Sequence, residues 1–306
     1  MKTNLRLTGT GVNLVTPFNS SGEIDFPALE RLVRKIKASP VEFIAVNGSA
    51  SEASLLSSEE CMRTLEFVSE INNGAKVLVS GLPGNDTRSS VQRISSFPKH
   101  TTCAAIWCHE PLPGATSASG YLGHFRSLAQ ASPLPIIIEH RQRLFPKAAD
   151  VLIALSKDVN VCGIVEATGD VALNGALVRR TPDRTFILTS RDVMTLPLMA
   201  LGLDGVVSTI ANAFPNECSD MMGQMEFGNF QEARSIHHAI APLLRILEAE
   251  GGSSGVKAIL NHFNWMDNLV RLPNTPVSEE IRSAIYKELA ELPLHMVENA
   301  MGSGGH

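Results

Sequence analysis

Eight short segments built almost entirely of apolar residues recur along the chain, and each leads into a stretch with helical periodicity. The first four are Gly11–Phe18, Phe43–Val46, Lys76–Ser80 and Ala104–Cys108. The second four are Leu134–Ile138, Val161–Val165, Thr185–Thr189 and Gly205–Ser208. They repeat at spacings of about 25 to 30 residues, room for one strand, one turn and one helix per unit. A strand that is apolar on both faces belongs in a parallel sheet covered on both sides, because a sheet with one wet face alternates polar and apolar residues. Eight such units in succession predict a closed (β/α)8 TIM barrel rather than an open, doubly wound sheet.

Local signals agree with that frame. Asp25 precedes Pro27 and a helix that places Leu29, Leu32, Val33 and Ile36 on one face, an N-cap followed by proline in the first turn. Ser57 and Glu60 have the spacing of a capping box at the start of a helix from Ser58. Beyond the eighth strand the sequence predicts three more helices, Phe230–Glu250, Ser254–Trp265 and Ser278–Leu289. No linker-like composition separates them from the rest. Residues 229–301 are therefore expected to pack on the barrel of residues 1–228 as a C-terminal extension. Residues 302–306, Gly-Ser-Gly-Gly-His, read as a tag remnant.

The chain of 306 residues is 44% hydrophobic, enough for a large core, and its formal net charge of −5 leaves no footprint for nucleic acid. No apolar run approaches the roughly 20 residues that cross a bilayer. Met1–Arg6 is not followed by a leader-like apolar stretch. Five scattered cysteines, an odd number without a CxxC pair, predict reduced thiols in a cytoplasmic protein.

Three stretches resemble one family. Gly48-Ser49-Ala50-Ser51-Glu52 with Leu56-Ser57-Ser58-Glu59-Glu60 is similar to a Gly-Thr-Thr-Gly-Glu loop and the Leu-Ser-x-Glu-Glu helix start behind it. Gly163-Ile164-Val165-Glu166-Ala167-Thr168-Gly169-Asp170 differs only at Val165 from a Gly-Ile-Lys-Glu-Ala-Thr-Gly-Asp strand and turn. The segment from Leu196-Pro197-Leu198 to Ala211-Asn212 is the third. Together they resemble the dihydrodipicolinate synthase / N-acetylneuraminate lyase family of class I aldolase-like barrels, over nearly the whole chain. The resemblance implies condensation or cleavage of 2-oxo acids through a Schiff base on the sixth-strand lysine, with tyrosines and a Thr-Thr pair relaying protons. It also implies a homodimer or homotetramer.

The chain departs from that pattern where the chemistry would sit. Val165 falls at the family lysine position, and its side chain has no nucleophile. Glu139 falls where the fifth strand would offer a tyrosine. Ser49-Ala50 stands for Thr-Thr, Leu112 and Pro113 for the tyrosines after the fourth strand, and Arg191 for a glycine after the seventh. An atypical member that does not work through a lysine imine is the expectation.

The barrel mouth, formed by strand ends and the loops behind them, is then expected to hold Ser49, Ser51, Glu52, His109, Glu110, Glu139, His140, Arg141, Arg143 and Arg191. One reading is a pocket for a small carboxylic acid. Ser49, Ser51, Arg141, Arg143 and Arg191 bind the acid, and Glu139 is an acid/base group with its pKa raised by burial. The competing reading is that Glu139 and Arg191 form a buried ion pair that fills the mouth. A weaker reading is a divalent metal on residues such as His109 and Glu139. It is limited because neighbours on a strand point opposite ways, so only one of His109 and Glu110, and one of Glu139 and His140, can face inward. No cofactor is expected. Three functions follow: a divergent lyase or aldolase-like enzyme for a small oxo or hydroxy acid, a non-catalytic member that binds an acid or a partner, and an inert scaffold.

Overall fold

The structure, a computed structural model, describes residues 5–83, 86–98, 102–111, 117–141 and 148–302. The strands are β1 (Gly9–Asn13), β2 (Phe43–Val46), β3 (Val77–Leu82), β4 (Cys103–Cys108), β5 (Ile136–His140), β6 (Val161–Glu166), β7 (Phe186–Thr189) and β8 (Gly205–Ser208). All neighbours pair in parallel, and β8 pairs with β1 to close the barrel. The intervening helices are α1 (Phe26–Ala38), α2 (Ser58–Asn72), α3 (Thr87–Ser95), α4 (Ala118–Ala131), α5 (Ala148–Ser156), α6 (Val171–Arg180) and α7 (Thr195–Met199). After β8 come α8 (Pro215–Glu226), α9 (Phe230–Ile246), α10 (Gly252–His262), α11 (Glu279–Ala290) and α12 (Leu294–Met301). This is the (β/α)8 barrel with C-terminal helices that the strand spacing predicts.

The apolar residues of the barrel divide into two main shells. Phe43, Ala45, Val79, Trp107, Ile137, Val165, Phe186, Leu188 and Val207 fill the barrel lumen. A larger shell, with Ile44, Ile106, Ile138 and Ile164 on the outer strand faces, packs against helix residues such as Leu29, Leu65, Phe125 and Leu177. Alternate residues of each strand serve the two shells, which is why the strands carry no polar periodicity.

The caps form as read: Asp25 accepts from Ala28 N at 3.0 Å, and Ser57 and Glu60 make the reciprocal capping box. Several boundaries differ from expectation. The first strand stops at Asn13, because after the Leu14 N bond to Ala45 O the chain leaves the sheet. Val15 N there turns to the Asn212 side chain, and Pro17 has no N–H to give a ladder. The fifth strand runs two residues further, to His140, and so places Glu139 within the sheet. The helix expected after β7 is split into a 3-10 turn, Asp192–Met194, and the five residues of α7, which contain Pro197. The helix expected over Phe230–Glu250 changes at Leu247 into a π turn, Leu247–Gly251, before α10. No helix among the described residues is long and apolar enough to cross a membrane. All five cysteines are buried free thiols.

Candidate functional site

Register puts the key side chains next to one another. Cys108 pairs with Ile138, Glu139 with Val165, and Val165 with Leu188. Paired positions of a parallel sheet share a face, and Ile137, Val165 and Leu188 all belong to the lumen cluster. Glu139 thus points into the barrel beside Val165. His109 follows Trp107 by two residues and lies against its ring, centroids 5.1 Å apart and edge to face. Trp107 fills the centre of the lumen. Gly48 makes room for it: a Cβ there would lie 2.3 Å from Asn13 Oδ1 and 2.9 Å from the indole.

The other members of the two His/Glu pairs face outward. Glu110 Oε1 lies 2.9 Å from His140 Nδ1, and both side chains are buried between the sheet and α4. Tyr121 of α4 donates its hydroxyl to Glu139 O at 3.2 Å and lies 3.3 Å from His140 Nδ1. The metal reading gains no third ligand here. His109 and Glu139 stand on one side of the sheet, Glu110 and His140 on the other, and among the described residues no group of three or more possible ligands assembles.

Glu139 is the unusual residue of the lumen. Its side chain is 0% exposed, and neither carboxylate oxygen has an aligned hydrogen-bond partner among the described residues. Arg141 Nε approaches Oε1 at 3.1 Å without that alignment, and the Arg141 side chain is 43% exposed. Burial pushes the Glu139 carboxyl up from 4.5 to about 7; the Arg141 charge pulls it down, and the Glu110 charge adds to the rise. His109 is driven the other way, to about 3, by burial and then by the Arg141 charge, so its ring is neutral. His109 Nε2 and Trp107 Nε1 are likewise buried without partners.

Above this layer lies a cavity of about 280 Å³ at the C-terminal end of the barrel. Its wall comes from the loops behind four strands: Ser49 and Ala50 after β2, Arg141 after β5, Ser190 to Val193 after β7, and Thr209 after β8. Leu244 and Leu247, Glu248 of the π turn, and Val256 of α10 roof it. Asn13 positions the serine loop, donating from Nδ2 to Ser49 Oγ at 3.0 Å and accepting from Ala50 N at 3.3 Å. Asp192 accepts from Thr209 N and Ile210 N at 3.0 and 3.1 Å, which joins the loops behind β7 and β8.

Arg191 and Glu139 do not pair with each other, contrary to the filled-mouth expectation. Arg191 meets Glu248 of the roof and donates from Nη1 to Thr168 O at 2.8 Å. Glu139 meets Arg141 from below. The mouth stays open because each charge found a different neighbour. Glu139 itself does not line the cavity, since Arg141 lies over it. Ser51 is also absent from the wall: its hydroxyl turns back to Gly48 O at 2.7 Å and closes the loop. Arg143, Leu112 and Pro113 lie outside the described residues.

Glu52 has left the mouth as well. Its backbone is left-handed, φ +57°, and its carboxylate accepts from Lys257 Nζ at 2.6 Å, Arg271 N at 3.0 Å and Asn274 Nδ2 at 3.2 Å. Lys257 also donates to Leu269 O and sits 4.3 Å from the centre of the Phe18 ring. This buried pair ties the loop behind β2 to α10 and so fixes the roof. Glu166 points outward and accepts from Thr168 N, Gly169 N and Asn174 Nδ2 at 2.6 to 3.0 Å, which shapes the turn into α6. The roof residues were not legible in sequence, where the segments of α9 and α10 read only as helices. Asn13 did leave a signal, as an amide side chain in a largely apolar strand.

The profile of the dihydrodipicolinate synthetase family matches residues 6–292. The chain belongs to that family. A 4-hydroxy-tetrahydrodipicolinate synthase of Parabacteroides distasonis is 30% identical over 292 residues, covering 94% of this chain and 97% of that protein. One from Azobacteroides pseudotrichonymphae is 32% identical over 288 residues, covering 92% and 96%. Among solved structures, a dihydrodipicolinate synthase of Bacillus anthracis superposes with a TM-score of 0.89 at 25% identity, covering 94% of this chain and 99% of that one. A chloride-inhibited dihydrodipicolinate synthase of Acinetobacter baumannii, complexed with pyruvate, superposes at 0.88 with 27% identity and the same coverage.

Proposed function

We propose that this family member is a divergent, aldolase-like lyase that binds a small 2-oxo or hydroxy acid and works without a lysine imine. Val165 beside Glu139 carries the reading. At the lumen position where the family resemblance implies a Schiff-base lysine, the chain has an apolar side chain packed among apolar neighbours. No lysine lines the cavity among the described residues. Lys257 of α10 is fully buried and held by Glu52 and Leu269 O, so its amine has no approach to a ketone. Neither tyrosine reaches the lumen: Tyr121 lies on the outer sheet face, and Tyr286 packs against His262.

What the site retains suits an acid. Arg141 presents a guanidinium to the cavity, and Ser49, whose oxygen already accepts from Asn13, has its hydroxyl proton to give. Glu139 is the proton carrier. Burial places its pKa near neutrality, where a carboxyl both gives and takes protons.

A second reading, binding without turnover, has its own observation. Glu139 is sealed beneath Arg141, so in this arrangement the acid/base group does not touch the cavity. Incubation with pyruvate in deuterated water separates the two. A lyase that moves protons at the carbon beside the ketone exchanges the methyl protons faster than buffer does, and a pure binder does not. The binding claim itself is tested by melting curves with pyruvate, other 2-oxo acids and small hydroxy acids. A rise in Tm that disappears in Arg141→Ala supports it, and no rise with any acid sinks it. Kinship and the buried thiols also support a cytoplasmic homodimer or homotetramer; light scattering of the purified protein checks the assembly.

A further inference from the structure

We infer that Arg141 exchanges partners on ligand binding, so that the acid's carboxylate takes the guanidinium from Glu139 and Glu139 takes up a proton in its place. The inference rests on the acid-binding reading above and adds how that binding is coupled to pH.

Among the described residues, both arginines that line the cavity already have a carboxylate, and an incoming anion draws on the one whose partner holds it less firmly. Arg191 is the harder to free. It holds Thr168 O with one nitrogen and Glu248 with another, and Glu248 is 37% exposed, so water stabilises its charge whether or not Arg191 is present. Arg141 differs on each point. Its contact with Glu139 lacks hydrogen-bond alignment, its side chain is 43% exposed to the cavity, and Glu139 is wholly enclosed. A carboxylate left alone in that enclosure has no solvent to stabilise its charge, and neutralisation by a proton is the cheap outcome. With a pKa already about 7 while Arg141 is in place, Glu139 moves higher once Arg141 turns to the ligand.

Among the described residues, the groups around Glu139 do not substitute for Arg141. From β4, His109 shares the lumen but is neutral, its pKa held at about 3, and Glu110 contributes negative charge from the outer face. From β6, Val165 is apolar, and Glu166 faces the turn into α6. From α4, the Tyr121 hydroxyl donates to the Glu139 carbonyl rather than to the carboxylate. On β5 itself, His140 is engaged with Glu110. The proton balance is therefore simple: one carboxylate enters, one proton is taken from solvent onto Glu139, and no bond other than O–H is made.

Calorimetric titration with pyruvate and with 2-oxobutanoate in two buffers of different ionisation enthalpy counts the protons. The wild-type protein is expected to take up most of a proton per acid bound at pH 8 and no more than about 0.1 at pH 6. Affinity weakens from pH 8 to pH 9, by up to about tenfold. Glu139→Gln binds with no proton uptake and with an affinity flat over the same range. Binding to the wild type at pH 8 without proton uptake overturns the exchange and leaves acid binding standing. Uptake that persists in Glu139→Gln overturns it too, by placing the proton elsewhere. Absence of binding by either acid overturns the exchange together with the functional reading beneath it. The two-buffer count on the wild type decides the matter even where the variant folds poorly.

Discussion

Glu139 gives the folded chain a pH dependence of its own before any ligand is considered. Its native pKa, about 7, lies above its ordinary 4.5, so the native state holds a proton that the unfolded chain has already released between those values. The favourable contribution is complete below pH 4.5 and is lost as pH rises through 7, a change of roughly 3 kcal/mol. Urea melts of wild type and Glu139→Gln between pH 4.5 and 8.5 should show the stability difference moving in favour of the variant as pH rises and levelling above about 7. A difference that does not change with pH would mean that the carboxyl is not held up by burial. That a buried acid sits here was half legible: strand alternation allowed only one of Glu139 and His140 to face the lumen, but the choice needed the register. The strand's extension to His140 supplied it. The partner of Arg191 was not legible, because Glu248 lies 57 residues further along the chain, in a turn whose place over the mouth depends on how α9 docks.

At the scale of elements, the cavity exists because the loop behind β2 and the start of α10 are fastened together. The fastening is the buried pair Glu52–Lys257, with side-chain exposures of 1% and 0%. Removing one partner strands the other's charge in the core and costs about 3 to 5 kcal/mol, whereas removing both with well-shaped replacements costs much less. A double-mutant cycle of Glu52→Gln and Lys257→Met in urea should show that coupling, and additive losses would mean that the pair does not fasten the roof. The second contact across the mouth is of another kind. Arg191 and Glu248 are each more than a third exposed, so Arg191→Ala should cost about 1 kcal/mol or less and leave pyruvate binding within a few-fold of wild type. Arg141→Ala should abolish binding. Sequence gave Glu52 to the mouth by its place in the Gly48–Glu52 loop; its left-handed backbone turns it toward α10 instead.

For the whole molecule, the eightfold strand pattern determined the barrel, since only closure buries eight two-faced apolar strands. The family frame carried the rest of the chain with it, down to the Gly163–Asp170 turn, where Glu166 accepts four hydrogen bonds regardless of what precedes it. Chemistry is less robust than frame. Val165→Lys puts an amine in the lumen, but it arrives beside the Glu139 carboxyl, beneath Arg141, and with both tyrosines turned away. That variant should show no gain in aldol turnover of pyruvate, and a robust gain would mean that the proton relay survives in residues other than those described. The central claim, acid binding without an imine, is tested most directly by adding borohydride to the wild-type protein at a pyruvate concentration that saturates its Tm shift, and then measuring intact mass. The account predicts an unchanged mass. A protein heavier by one reduced pyruvate, mapped to a lysine, would contradict it.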